Sequence, residues 1–253
     1  MVRRHAGSRF VPGAFVFPGG QIEPADCSAE IEACCHQFDV REAHLRMPDM
    51  SPPERALGAC VAALRETFEE VGILLVCTPG GATIRFNSTK QARLEQRRRA
   101  LHADRITLAE VLREEEFRLA PAQLHYFAHW ITPEASPIRY DVRFFVAAAP
   151  RDQIACHDGV ELTGHRWVAP YDALAEHARG VFPMVLPTRT LVGELMQFPT
   201  VEAAVGSTRD KDIPAVLSRM ILRDGHLVEV LPGEGDDRGL FDFPGSISDQ
   251  RPA

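Results

Sequence analysis

The sequence predicts one mixed domain of the α+β class, carrying helical insertions and a small C-terminal appendage. Three observations carry that reading. Short apolar runs rich in Val, Ile, Phe and Tyr recur between Gly- and Pro-containing turns, the pattern of strands. One strong amphipathic helix pattern runs from about Pro52 to Val71. Neither an internal repeat nor a low-complexity linker divides the 253 residues, a length compatible with one large domain.

The elements follow in order. Residues 10–18, FVPGAFVFP, read as a strand that ends in a sharp turn at Gly19-Gly20. A helix is expected around Ala29–Phe38, within a stretch (27–50) of no strong period. Ser51-Pro-Pro-Glu54 reads as a capping box, with Ser at the N-cap, Pro at N1 and Glu at N3. Leu57, Cys60, Val61, Leu64, Phe68 and Val71 then follow at helical spacing, and Gly72 terminates the helix. Ile73–Val76 is a short strand. Residues 89–118 hold two amphipathic helices whose charge runs, Gln96–Arg99 and Glu114–Glu116, intersperse both signs and so read as solvated faces.

His125–Thr132, Arg139–Ala148 and Glu161–Val168 read as strands, and Tyr171–Arg179 as a helix. Leu191–Met196 and Val201–Val205 read as short helices. Ser218–Leu222 and His226–Leu231 flank Asp224-Gly225, a hairpin signal. The last twenty residues read as a loose tail. The domain is placed at 1–205 and the appendage at 206–253.

Composition excludes several functions. The net charge is −7 and no basic patch dominates, which argues against a nucleic-acid binder. The longest apolar stretch, Phe144–Ala149, is far too short to span a membrane. Arg3 and Arg4 are followed by apolar residues broken at Pro12 and Pro18, a poor signal peptide. Six cysteines form no CxxC pair, so a reducing cytoplasm is the expected location.

The segment that carries chemistry is Arg65-Glu-Thr-Phe-Glu-Glu-Val-Gly-Ile73. On the helix Glu66, Glu69 and Glu70 stand at i, i+3 and i+4 and share one face, while the apolar stripe runs along another. Three carboxylates so close repel unless a cation compensates them. Oxygen ligands without clustered His or Cys favour Mg²⁺ or Mn²⁺ over zinc.

With the Phe17-Pro-Gly-Gly20 turn, this segment resembles the Nudix box, G-x5-E-x7-R-E-U-x-E-E-x-G-U, where U is a bulky aliphatic. Gly20 matches the opening glycine, and Asp26 stands where the family has Glu. Arg65, Glu66, Glu69, Glu70, Gly72 and Ile73 match the second half, with Thr67 at the first U position. Thirty-eight residues lie between Asp26 and Arg65 where the plain motif has seven, an insertion of thirty-one. A branch of the family with an insertion at this place is similar to mammalian Nudix motif 19, a coenzyme A diphosphatase. The blocks Arg9–Gly20, His129–Glu134, Arg139–Val146, Trp167 and Leu186–Leu191 extend that resemblance over roughly residues 9–205.

The resemblance implies a Nudix fold, a mixed sheet between helices, and hydrolysis of a diphosphate in a small-molecule nucleotide derivative. Coenzyme A or acyl-CoA is the first expectation and NADH or ADP-ribose the second. A non-catalytic module that binds a nucleotide as a regulator is the third. By the same resemblance Glu69 and Glu70 are the principal metal ligands, with the Gly19 carbonyl as a further one. Glu66 is a ligand or water-orienting base, and Arg65 pairs with a box carboxylate and orients it. Glu161, with Asp158 second, is the candidate for an acid outside the box. His125, His129 and His165 are read as structural, Trp130 and Phe145 as core, and Arg139 and Arg143 as partners of acids. Cys34-Cys35 is read as a coincidental pair. A Nudix sheet begins with a further strand, so Met1 is expected to be an internal methionine of a longer protein. The alternative is that another segment or subunit covers the open edge. The oligomeric state is left open.

Overall fold

The structure, a computed structural model, describes residues 1–8, 10–209, 211–223 and 225–233. In chain order it contains β1 (Val2–Arg4), β2 (Phe15–Val16), α1 (Ala29–Glu32), α2 (Val40–Arg46), α3 (Glu54–Val71), β3 (Val76–Cys77), α4 (Ser88–His102) and α5 (Leu108–Glu114). There follow β4 (Arg118–Leu119), β5 (His125–Ile131), β6 (Asp141–Val146), β7 (Leu162–His165), α6 (Pro170–Ala178), α7 (Leu186–Leu195) and α8 (Val201–Gly206). β8 (Ala215–Leu217), β9 (Arg219–Arg223) and β10 (His226–Val230) complete the described elements. Two 3-10 turns occur at Pro24–Cys27 and Pro121–Gln123. Helices and sheets are thus mixed as the α+β reading expects. No helix among the described residues is long and apolar enough to cross a membrane.

The chain divides into two compact units, Met1–Phe17 with Tyr126–Phe145 and Arg166–Ala253, and Pro18–His125 with Val146–His165. In the first, β1 and β2 pair antiparallel, Val2 opposite Val16 and Arg3 opposite Phe15. Phe15 stacks on Phe182 at 3.7 Å between ring centres, and Ala173, Met184 and Val192 complete that core. β5 is central in the order β6-β5-β8, with β8 parallel to it. The expected hairpin forms, Leu222 opposite Leu227 and Gly225 at φ +83°; its partner Asp224 and the tail 234–253 lie outside the described residues.

The second unit is built on α3. Leu57, Cys60, Val61, Leu64 and Phe68 are all buried, as the periodicity predicts. The capping box is not formed: the helix begins at Glu54 after Pro53, and no side chain caps it. Two consecutive prolines lack N–H groups, and the first turn closes instead through Arg55 N–H to Pro52 O and Ala56 N–H to Pro53 O, both 3.0 Å. The helix expected over Ala29–Phe38 is shorter, ending at Glu32. Gln37 turns to φ +46° and Asp39 caps a separate helix, α2, by accepting from Glu42 N–H at 2.8 Å. The strand expected at Ile73–Val76 lies at Val76–Cys77, paired with β4. Gln153 explains the shift, because its side-chain amide occupies both Leu74 N–H and Leu74 O at 2.8 Å. The two helices expected within 89–118 are α4 and α5.

Candidate functional site

All the residues of the acidic constellation belong to the second unit. α3 presents them because its apolar stripe is committed to the core and leaves Glu66 and Glu69 half-buried at its margin, with Glu70 buried. Thr67, at the aliphatic position of the box, donates its hydroxyl to Ala63 O at 2.6 Å, and Phe68 fills the core.

Arg65 is the hub. It is 6% exposed, and Asp26, 2% exposed, grips it from the 3-10 turn with two bonds of 3.0 Å to Nε and Nη2. Nη2 also donates to Gln21 O at 2.9 Å, tying the Gly20 loop to the helix. Nη1 reaches Glu66 at 2.9 Å and Glu69 at 3.4 Å, with Glu23 at 3.7 Å. Burial opposes the charge on this guanidinium, and the Asp26 bonds more than restore it. Asp26, at the position where the family has Glu, thus reaches the arginine of the box. It can do so because Gly58 lets the turn lie close on α3, where a Cβ would stand 2.4 Å from Cys27 Sγ.

The Gly19-Gly20 turn completes the near side. Gly19 N–H donates to Glu70 Oε2 at 2.9 Å, and a Cβ on Gly20 would stand 2.2 Å from Glu66 Oε1. Glycine here keeps space for the carboxylate.

Electrostatically the cluster is in excess of negative charge. Arg65 is shared among Asp26, Glu66 and Glu69, so one positive charge faces several carboxylates. Burial pushes the Glu66 carboxyl up, against the pull of Arg65, with Glu161 and Glu23 adding to the rise. Burial pushes Glu69 up to about 7 despite Arg65, helped by Glu66. Burial pushes Glu70 up to about 8, against the Gly19 N–H, with Glu66, Glu161 and Asp158 contributing. Glu161 and Asp158 thus lie within electrostatic reach of the helix face. Asp158 also orders their loop by accepting from Val160, Glu161 and Leu162 N–H groups.

An ion is the natural complement of this donor set. Three carboxylates and the neighbouring Gly19 are oxygen donors suited to a hard divalent cation. Among the described residues no group of three or more His, Cys, Asp or Glu side chains is so placed that it could hold a metal ion. Glu66 and Glu69 are drawn onto Arg65 and Glu70 onto Gly19 N–H, contacts that a cation would compete for. The charge and chemistry of the set fit the cation.

Other candidates take the quieter roles expected of them. His129 bonds Asp141 at 2.5 Å, which also receives Arg143, an acid on the same strand. Arg139 differs from expectation, since its Nε donates to the Thr132 carbonyl across the turn. His165 meets His157 at 2.9 Å. Trp130 is buried, Phe145 half-buried against Tyr126, and Cys34 and Cys35 are free thiols. In the charged runs, Arg99 is exposed as expected and pairs with Glu95, whereas Arg97 is half-buried against Glu114 and Glu115 is buried. Arg98 is 3% exposed and turned onto the end of α3. Its spacing holds the signal, because Leu94, Arg98 and Leu101 stand at i, i+4 and i+7 on one buried stripe.

Comparison with known proteins bears on the family and the fold. The family model described as the NUDT19 Nudix domain matches residues 1–187. The acyl-coenzyme A diphosphatase NUDT19 of Xenopus laevis is 27% identical over 214 residues, 70% of this chain and 54% of that protein. The acyl-coenzyme A diphosphatase NUDT19 of Gallus gallus is 28% identical over 205 residues, 68% of this chain and 54% of that protein. The chain thus spans about half the length of the curated relatives it matches. A NUDIX hydrolase from Alicyclobacillus acidocaldarius matches in structure with a TM-score of 0.61 and 29% identity, covering 81% of this chain and 86% of that one.

Proposed function

Because the chain belongs to the NUDT19 Nudix domain family, we propose that it is a Mg²⁺- or Mn²⁺-dependent hydrolase of a diphosphate linkage, with coenzyme A or an acyl-CoA as substrate. The observation that carries the reading is the excess of negative charge on the acidic face of α3. One guanidinium, Arg65, is shared among Asp26, Glu66 and Glu69, and Glu70 stands beside a glycine turn. Glu69, Glu70, Glu66 and the Gly19 carbonyl would hold the cation. When bound, it supplies charge neutralisation at the phosphoryl oxygens and polarises phosphorus.

The protein's own part is orientation. Arg65 holds Glu66 and Glu69 toward one point, and Asp26 holds Arg65. Gly20 leaves the Glu66 carboxylate room beside the turn. Glu66, with Glu161 as the acid from outside the box, would orient water and receive its proton in this reading. The names of the relatives favour the coenzyme A class.

Glu69→Gln removes a charge without changing shape. Its Mg²⁺-dependent turnover should vanish while the metal-free protein stays folded, with a thermal midpoint no lower than the parent's. Undiminished turnover in this variant overturns the site assignment. A screen of acyl-CoA, coenzyme A, NADH and ADP-ribose with the parent chain tests the substrate. Hydrolysis of NADH or ADP-ribose without coenzyme A cleavage would move the assignment to the other diphosphates.

A further inference from the structure

The last four carbonyls of an α-helix have no partner within it. In α3 they belong to Phe68, Glu69, Glu70 and Val71, and each is satisfied. Phe68 O accepts from Gly72 N–H at 2.8 Å, and Val71 O from Cys156 N–H at 2.9 Å. The other two depend on one side chain. Arg98 donates Nε to Glu69 O at 2.8 Å and Nη2 to Glu70 O at 3.0 Å.

Those carbonyls belong to the two residues whose carboxylates form the centre of the acidic site. A planar guanidinium engaging two consecutive carbonyls restrains the last helical turn, and with it the Cα–Cβ directions of Glu69 and Glu70. Arg98 is itself held, since Nη1 bonds Glu95 at 3.0 Å and the group is 3% exposed. The absence of a side chain at Gly72 keeps room for it, because a Cβ there would stand 3.3 Å from Nη1. A cation also suits this end of the helix dipole.

We infer that Arg98, supplied by α4, is a positioning residue for the divalent cation, setting the direction of the Glu69 and Glu70 carboxylates through their backbone. The inference rests on the metal-dependent reading above. A Lys at this position keeps the charge but loses the two-pronged grip, so the conservative substitution is informative.

The test uses the full chain with Arg98→Lys, Arg98→Met and, as an exposed control on the same helix, Arg99→Ala. Mn²⁺ affinity is measured by titration on the folded fraction, and amide exchange of residues 69–72 on the metal-free protein. Both Arg98 variants should bind Mn²⁺ about 10-fold or more weakly, the range for residues that orient metal ligands. Their exchange in the last turn should quicken, while Arg99→Ala matches the parent. An Arg98→Lys chain with parental affinity and exchange overturns the inference alone. If Arg98→Met does not fold, Arg98→Lys decides. If neither folds, Arg98 serves the fold and the inference falls. A parent chain that binds no Mn²⁺ overturns the metal reading itself, and the positioning role with it.

Discussion

At the scale of the residue, the site turns on which carboxylate neutralises Arg65. Asp26 grips the guanidinium in a bidentate pair whose two side chains are both almost fully buried. That leaves only Nη1 of Arg65 to be shared between Glu66 and Glu69. Asp26→Asn should therefore have two effects. Loss of the buried anion should destabilise the metal-free protein by about 3 kcal/mol, read from urea unfolding. Arg65 would then lean more on Glu66 and Glu69, so the Mg²⁺ concentration for half activation should rise. A variant with parental stability and parental Mg²⁺ response would show that Asp26 is a bystander. The position of Asp26 was visible in the sequence, six residues after Gly20, but its use was not. Its reach depends on the approach that Gly58 permits, and Gly58 belongs to a helix far along the chain.

At the scale of the element, the legible parts are those whose cause is local. α3 was legible because its apolar stripe and its glycine stop lie within one stretch, and its acidic face follows from helical spacing alone. β3 was misplaced because Gln153, 79 residues away, takes the backbone groups of Leu74. The capping box failed because two adjacent prolines leave the first turn to close on their carbonyls. Arg98 was hidden by composition, since an arginine run averages to a solvated surface while one member points inward. The end of α3 offers a direct check. Gly72 adopts φ +73° and faces Arg98 at close range. Gly72→Ala should cost about 1–2 kcal/mol from the left-handed backbone, seen as a lower thermal midpoint. A midpoint equal to the parent's would mean that the last turn is not fixed as described.

At the scale of the whole molecule, the question is how a chain of net charge −7 would handle the polyanionic substrate proposed for it. The carboxylates of α3 are compensated by protons or by a cation, and their proton affinity gives a measurable consequence. Glu69 is pushed up to about 7 and Glu70 to about 8 from an ordinary value of 4.5, with burial as the leading cause in both. A folded chain that holds protons more tightly than the unfolded chain loses stability as those protons leave. The contribution is therefore full below pH 4.5 and declines as pH rises through about 7 and 8. The metal-free protein should melt at progressively lower temperature across that window. Glu70→Gln carries no such proton, so its melting temperature should fall less steeply. Mg²⁺ should act the other way, because it binds the deprotonated groups and stabilises the folded chain more as pH rises. Melting curves of parent and variant, with and without Mg²⁺, separate this local effect from the general repulsion of an acidic chain. A metal-free midpoint that climbs between pH 4.5 and 8 would contradict the buried cluster of excess negative charge from which the cation site is argued.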